Sequence, residues 1–215
     1  MSVPAHAADS SELWPDVEAF VRMSPGTRIY ANLAYAEGKD SDTQSLDLTA
    51  ALDLSIKPIV RKSLKTEDWQ RSRFFWARAG YTRVDKATAG ERGTPEDRLF
   101  VQLLAKAELP AQVWLEARAR SEFRWLGDDT SNRYRFRLEA TREYSMRGHS
   151  VVPFIKAEWF YDTRYDGWAR ELYQFGSEYT FNDRFRVEPY VAYQSDRLPA
   201  EESLNAIGVT AKLYF

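Results

Sequence analysis

Apolar and polar residues alternate one by one in long runs through almost the whole chain, and this pattern restricts the fold more than any other feature. Leu99, Val101, Leu103, Ala105, Ala107 and Leu109 alternate with Phe100, Gln102, Leu104, Lys106 and Glu108. Val113, Leu115, Ala117, Ala119 and Phe123 alternate with Glu116, Arg118, Arg120, Glu122 and Arg124. On a helix such spacing would spread apolar groups over every face, whereas on a strand it gathers them on one. The runs fall near 12–23, 27–37, 44–56, 72–84, 97–109, 112–126, 132–145, 151–162, 169–181, 185–195 and 203–215. Each is about 10–15 residues long, against roughly 5–6 for strands of soluble proteins. A tilted strand needs about 9–11 residues to cross a bilayer. The expected fold is all-β: a single antiparallel up-and-down transmembrane β-barrel.

Bulk properties agree and exclude other classes. No stretch approaches the roughly 18 apolar residues of a membrane helix, and mean hydropathy is −0.56. A membrane barrel tolerates such polarity because only alternate side chains meet lipid. Charged residues make up 29% of the 215, yet the formal net charge is only −2, without the basic excess of a nucleic-acid binder. No cysteine is present, so neither disulfides nor thiolate metal sites form. Ala5-His6-Ala7 has the small-x-small form of a secretory cleavage site, although no apolar stretch precedes it. Residues 1–10 are therefore expected to be a signal remnant or disordered tail, and 11–215 the barrel.

Short connections fall at Ser24-Pro25-Gly26, Pro110-Ala111, Arg147-Gly148-His149 and Asn182-Asp183-Arg184. Longer polar ones at 38–43, 85–96, 127–131, 163–168 and 196–202 carry Asp40, Asp42, Glu91, Glu96, Asp97, Asp128, Asp129, Asp166, Glu201 and Glu202. Short turns on one side and longer loops on the other suit an outer-membrane barrel. Eleven runs is an odd number, and single-chain bacterial barrels are usually even. Twelve strands are expected, the missing one within 57–71 around Ile59, Val60 and Leu64, with ten as the alternative.

The polar faces are crowded with charge of both signs. The expected lumen network is Glu116, Arg118, Arg120, Glu122, Arg124, Arg133, Arg135, Arg137, Glu139, Lys156, Glu158, Arg186 and Glu188, with Asp16, Glu18, Arg22, Asp53 and Arg78 also inward. Pairing around Gly127–Asp129 sets the densest two runs side by side, with Glu122 and Arg133 as a candidate pair. Such side chains fill much of a barrel of this size, so a filled or narrowly wet lumen is expected, not a wide pore. If the lumen is a selective path, Arg118, Arg120, Arg135 and Arg137 favour anions. On the apolar side, Trp125, Tyr134, Tyr161, Tyr173, Phe181, Tyr193 and Phe215 suit headgroup girdles. The terminal Phe215, closing the alternating run Ile207, Val209, Ala211, Leu213, is similar to an outer-membrane assembly signal.

Glu12-Leu13-Trp14-Pro15-Asp16-Val17-Glu18, Arg124-Trp125 with Arg133-Tyr134-Arg135-Phe136-Arg137-Leu138, and Phe160-Tyr161-Asp162-Thr163-Arg164-Tyr165 through Trp168 resemble segments of an uncharacterised family of Gram-negative outer-membrane barrels. Glu188-Pro189-Tyr190 and the Leu213-Tyr214-Phe215 ending match it too. The resemblance implies a barrel and a bacterial outer-membrane location, and no activity.

Three functional classes remain at this level. A hydrolase or acyltransferase would want a histidine base near the outer loops. The two histidines, His6 and His149, lie in the tail and in a short turn. The expectation is a non-enzymatic protein without cofactor or metal. A structural or narrow-channel role comes first, and a selective small-solute or anion channel, porin-like, second. Expected partners are outer-membrane lipid, lipopolysaccharide (through divalent cations on the loop carboxylates) and the barrel-assembly machinery, with no nucleic acid. The aromatic and charged Tyr161–Trp168 segment is the best candidate contact surface.

Overall fold

A computed structural model of the chain describes residues 10–39, 42–55, 75–146, 149–198 and 201–215. Its elements are β1 (Ser10–Ser24), β2 (Thr27–Gly38), β3 (Thr43–Ser55), β4 (Phe75–Thr88), β5 (Glu91–Arg92), β6 (Glu96–Leu109), β7 (Val113–Leu126), β8 (Asp129–Arg142), β9 (Tyr144–Met146), β10 (His149–Asp162), β11 (Gly167–Asn182), β12 (Phe185–Asp196) and β13 (Glu202–Tyr214). All join in one sheet, ordered β11-β12-β13-β1-β2-β3-β4-β6-β7-β8-β10, which closes through β10–β11 pairing. Eleven long strands among the described residues form the wall, close to the twelve expected; β5 and β9 are short extensions at its two rims.

The odd number has a structural consequence. In an up-and-down meander of eleven strands the first and last point the same way, so the ring closes only through a parallel seam. β1 indeed pairs β13 in parallel, from Ser10↔Leu204 to Phe20↔Tyr214, while the other neighbours are antiparallel. The region 57–71, where a twelfth strand was expected, falls outside the described residues. Among the described residues β3 and β4 pair directly with each other, from Thr43↔Thr88 to Ser55↔Trp76.

One rim, here the turn end, carries the β1–β2, β6–β7 and β11–β12 connections and the end of β13. The opposite rim, the loop end, carries the start of β1 and the β4–β6, β7–β8, β10–β11 and β12–β13 connections. Several loops are tighter than the composition suggests, because strands extend into them. β7 and β8 are joined by Gly127–Asp128 alone, with Gly127 at φ 61°, as a type II′ hairpin requires. Glu96, Asp97, Asp129 and Glu202, expected in loops, are strand residues. Asp40 and the Ala5-His6-Ala7 site lie outside the described residues.

The two faces separate as the pleat dictates. Leu99, Val101, Leu103, Ile155, Phe175, Val191 and Ile207 are exposed on the outside, at 49–63% of their surface. Glu96, Arg98, Gln102, Glu122, Arg124, Lys156, Glu158 and Glu188 are buried on the inside. A water-soluble fold has the reverse distribution; this one matches the apolar exterior and polar interior of membrane barrels. Two glycines make room inside: a Cβ on Gly208 would stand 2.1 Å from the Tyr190 ring, and one on Gly80 2.5 Å from the Ala50 carbonyl.

Candidate functional site

The inward positions of all eleven long strands converge on one cavity of about 450 Å³ inside the barrel. Its densest wall is β7–β8, where the register sets like charges directly opposite one another: Arg118↔Arg137, Arg120↔Arg135 and Glu116↔Glu139. Direct like-charge pairs destabilise a sheet. Long side chains resolve the conflict by reaching diagonally and across to β10. Arg120 and Arg135 hold Glu122 at 2.7 and 3.1 Å. Arg118 and Arg135 hold Glu158 at 2.5 and 2.7 Å. Arg137 reaches Glu116 at 2.9 Å and Glu139 at 3.4 Å, and Lys106 adds a contact to Glu116 at 3.1 Å. The result is a zigzag of alternating sign.

Three further clusters complete the interior network. Near the turn end Asp53, fully buried, receives Arg28 and Arg78, the latter at 2.5 Å. The same guanidinium groups lie over the Phe20 and Tyr30 rings at 4.3 and 3.6 Å, so stacking adds to the ion pairs. On β10–β13, Lys156 and Lys212 both hold Glu188 at 2.5 Å, while Lys212 and Arg186 hold Glu178 at 2.8 and 3.1 Å. Near the loop end Arg124 bridges Glu96 and Asp162, with Arg98 on Glu96 at 2.9 Å and Arg133 on Asp162 at 3.3 Å.

Every member of the expected lumen network thus carries a partner among these groups. Glu122 and Arg133 are directly opposite in the ladder but do not bond; Asp162 takes Arg133 and two other arginines take Glu122. Asp162, Glu96, Arg98, Glu178 and Lys212 are network members that the sequence-based set omits. Lys212 and Glu178 share the inward parity of their strands, a signal that was available. Glu96 and Arg98 sit where a strand begins, and there the alternation is too short to separate strand from loop.

The expected girdle residues lie on the outward parity. Trp125, Tyr134, Tyr161, Tyr173 and Tyr193 are near the loop end, and Phe181 and Phe215 near the turn end. Tyr134 pairs across the ladder with Tyr161, and Tyr173 with Tyr193. Tyr161 packs edge-on against Trp168 at 5.8 Å and donates to Asp166 at 2.6 Å, so the candidate contact segment is a closed turn under an aromatic pair. His149 begins β10 at the turn end, and His6 is outside the described residues. Among the described residues no cluster of three metal-ligating side chains occurs.

A closed sheet, apolar outside and ion-paired within, is a β-barrel consistent with those of outer membranes. The chain belongs to the DUF2490 family, described as proteins of unknown function, which matches residues 66–205. Its backbone is similar to the crystal structure of the beta domain of the Bordetella autotransporter Brka. The TM-score is 0.52 and the identity 14%, over 85% of this chain and 81% of that one. At that identity the likeness is one of fold alone. No curated protein matches the chain.

Proposed function

We propose that this protein is a non-enzymatic barrel of the bacterial outer membrane whose lumen is a narrow, wet passage for small solutes. The observation that carries this is the cavity of about 450 Å³ lined by charged side chains from opposite walls. A purely structural plug gains nothing from holding so many ionised groups around open space, since packed apolar residues fill a core at less desolvation penalty. Lining the cavity with paired charges keeps it hydrated while leaving little net charge. Because Arg118, Arg120, Arg135 and Arg137 each have a carboxylate within 3.1 Å, the passage is expected to be weakly selective and not a strong anion filter. The lipid-facing belts would rest in lipid and lipopolysaccharide, and Phe215, exposed on the outward face, is available to the barrel-assembly machinery.

Planar-bilayer recording of the refolded protein tests the passage. Small, steady, weakly selective currents are expected. Silence across a range of voltages and salts would return the lumen to a structural role.

A further inference from the structure

The lumen holds two carboxylates that make no ion pair among the described residues, and they face a wall rich in arginine. Asp16 and Glu18 stand two residues apart on the inward face of β1 and line the central cavity. Neither forms an ion pair among the described residues. Asp16 accepts a hydrogen bond from the Asn32 amide, and Glu18 accepts one from the Tyr30 hydroxyl at 2.9 Å. Lys212, opposite Glu18 in the ladder, is turned to Glu178 and Glu188 instead.

What Asp16 and Glu18 face follows from the register. β7 lies five strands from β1 in one direction and six in the other, so the two are on opposite sides of the ring. From Glu18 the paired positions run through Asn32, Thr49, Thr82 and Arg98 to Arg124, near the loop end of β7. In the other direction they run through Lys212 and Arg186 to Thr180, near the turn end of β11. In a tilted barrel a ladder climbs one way and descends the other. The part of β7 level with Glu18 therefore lies below Arg124, in mid-strand, where Arg118 and Arg120 stand.

That wall has capacity to spare. The Arg118 Nε and the Trp76 indole nitrogen, both donors, are buried without a hydrogen-bond partner, as is the Gln102 amide oxygen, an acceptor, while the Arg120 Nε stands 2.7 Å from Glu122. Trp76 and Gln102 are themselves more than nine-tenths buried and line the same cavity. Buried polar atoms left unpaired are destabilising unless something occupies them.

Taking the wet lumen proposed above as its setting, we infer that the mid-barrel cavity is a binding site for a small zwitterion with separated charges. Its ammonium group would sit between Asp16 and Glu18 and its carboxylate against Arg118, Arg120 and the Trp76 N–H. The chemical class is that of a short ω-amino acid. A simple cation would answer only one wall and a simple anion only the other.

Calorimetric titration of the refolded barrel tests this, with 4-aminobutyrate, propylamine and butyrate as probes at matched ionic strength. 4-Aminobutyrate is expected to bind at least about tenfold more tightly than either single-charge probe, a difference of about 1.4 kcal/mol. The Asp16→Asn/Glu18→Gln double variant is expected to lose that advantage, its fold checked by heat-modifiable migration. Arg120→Lys, which keeps a charge on Glu122, is expected to weaken the butyrate-like end alone. Equal binding of propylamine and 4-aminobutyrate, or no binding of any probe, would overturn the site. That comparison uses the unmodified protein, so it holds whether or not a variant folds. Conductance without zwitterion binding removes this site and leaves the passage; binding without conductance does the opposite.

Discussion

Single charges inside this barrel differ sharply in what they hold together. Glu122 is completely buried between Arg120 and Arg135, whereas Asp97, on the outward face, shares Arg83 at 3.2 Å with both side chains more than a third exposed. Removing a buried partner strands the remaining charges, at a penalty of about 3–5 kcal/mol; an exposed pair contributes about 0–1 kcal/mol. Glu122→Gln is therefore expected to destabilise the barrel by several kcal/mol, and Asp97→Asn by less than about one. Urea unfolding in lipid vesicles, followed by tryptophan fluorescence, measures both. Equal effects would mean that the interior is far wetter than its ion pairs indicate, with the arginines solvated independently.

At the level of strands, the seam between β1 and β13 is the feature with fewest precedents in the sequence. Its parallel ladder is continuous from Ser10 to Phe20. The prolines on either side interrupt other ladders instead: pairing of β1 with β2 skips Pro15, and pairing of β12 with β11 skips Pro189. Proline has no N–H to give, and each of these two sits where the pairing on the side away from the seam lapses. Val17 and Ala211 are direct partners across it, both on the outward face. In a chain without native cysteine, Val17→Cys/Ala211→Cys is expected to cross-link under mild oxidation, while Val17→Cys/Leu213→Cys, one pleat repeat out of register, is not. The reverse result on a gel would exclude this register of the parallel seam. Where the strands run was legible: Glu96–Leu109 and Val113–Leu126 lie within a residue of the runs read from alternation, since a wall between oil and charge enforces a period of two. The Gly127–Asp128 turn was read three residues too long. Thr130, Ser131 and Asn132 are polar at either parity, because that part of the strand rises beyond the apolar layer. The seam was legible only in the odd count of eleven runs, which the expectation of an even twelve overrode; the side chains themselves do not mark it, because a parallel ladder is made by backbone.

For the molecule as a whole, the odd number of strands fixes a polarity that an even barrel lacks. The start of β1 and the end of β13 emerge at opposite rims, so the two ends of the barrel domain lie on opposite sides of whatever membrane it crosses. The candidate lumen site was half legible in the same sense: alternation marked Asp16, Glu18, Arg118 and Arg120 as inward, but only the register brings them to one height. Which rim faces outward follows from the connections: outer-membrane barrels keep short turns on the periplasmic side and longer loops outside. On the outer-membrane reading proposed above, the turn end is periplasmic and the loop end, with Gly127–Asp128 and Thr163–Asp166, is on the cell surface. An epitope inserted between Gly127 and Asp128 is then expected to bind antibody on intact cells. The same epitope between Asn182 and Asp183 is expected to bind only after the outer membrane is opened. Both insertions fall in tight turns whose neighbouring strands pair on through the wall, so folding of each is first verified by heat-modifiable migration. Staining of the Asn182 insertion on intact cells would invert the barrel, putting the start of β1 in the periplasm and taking the aromatic pair Tyr161–Trp168 out of reach of any extracellular partner.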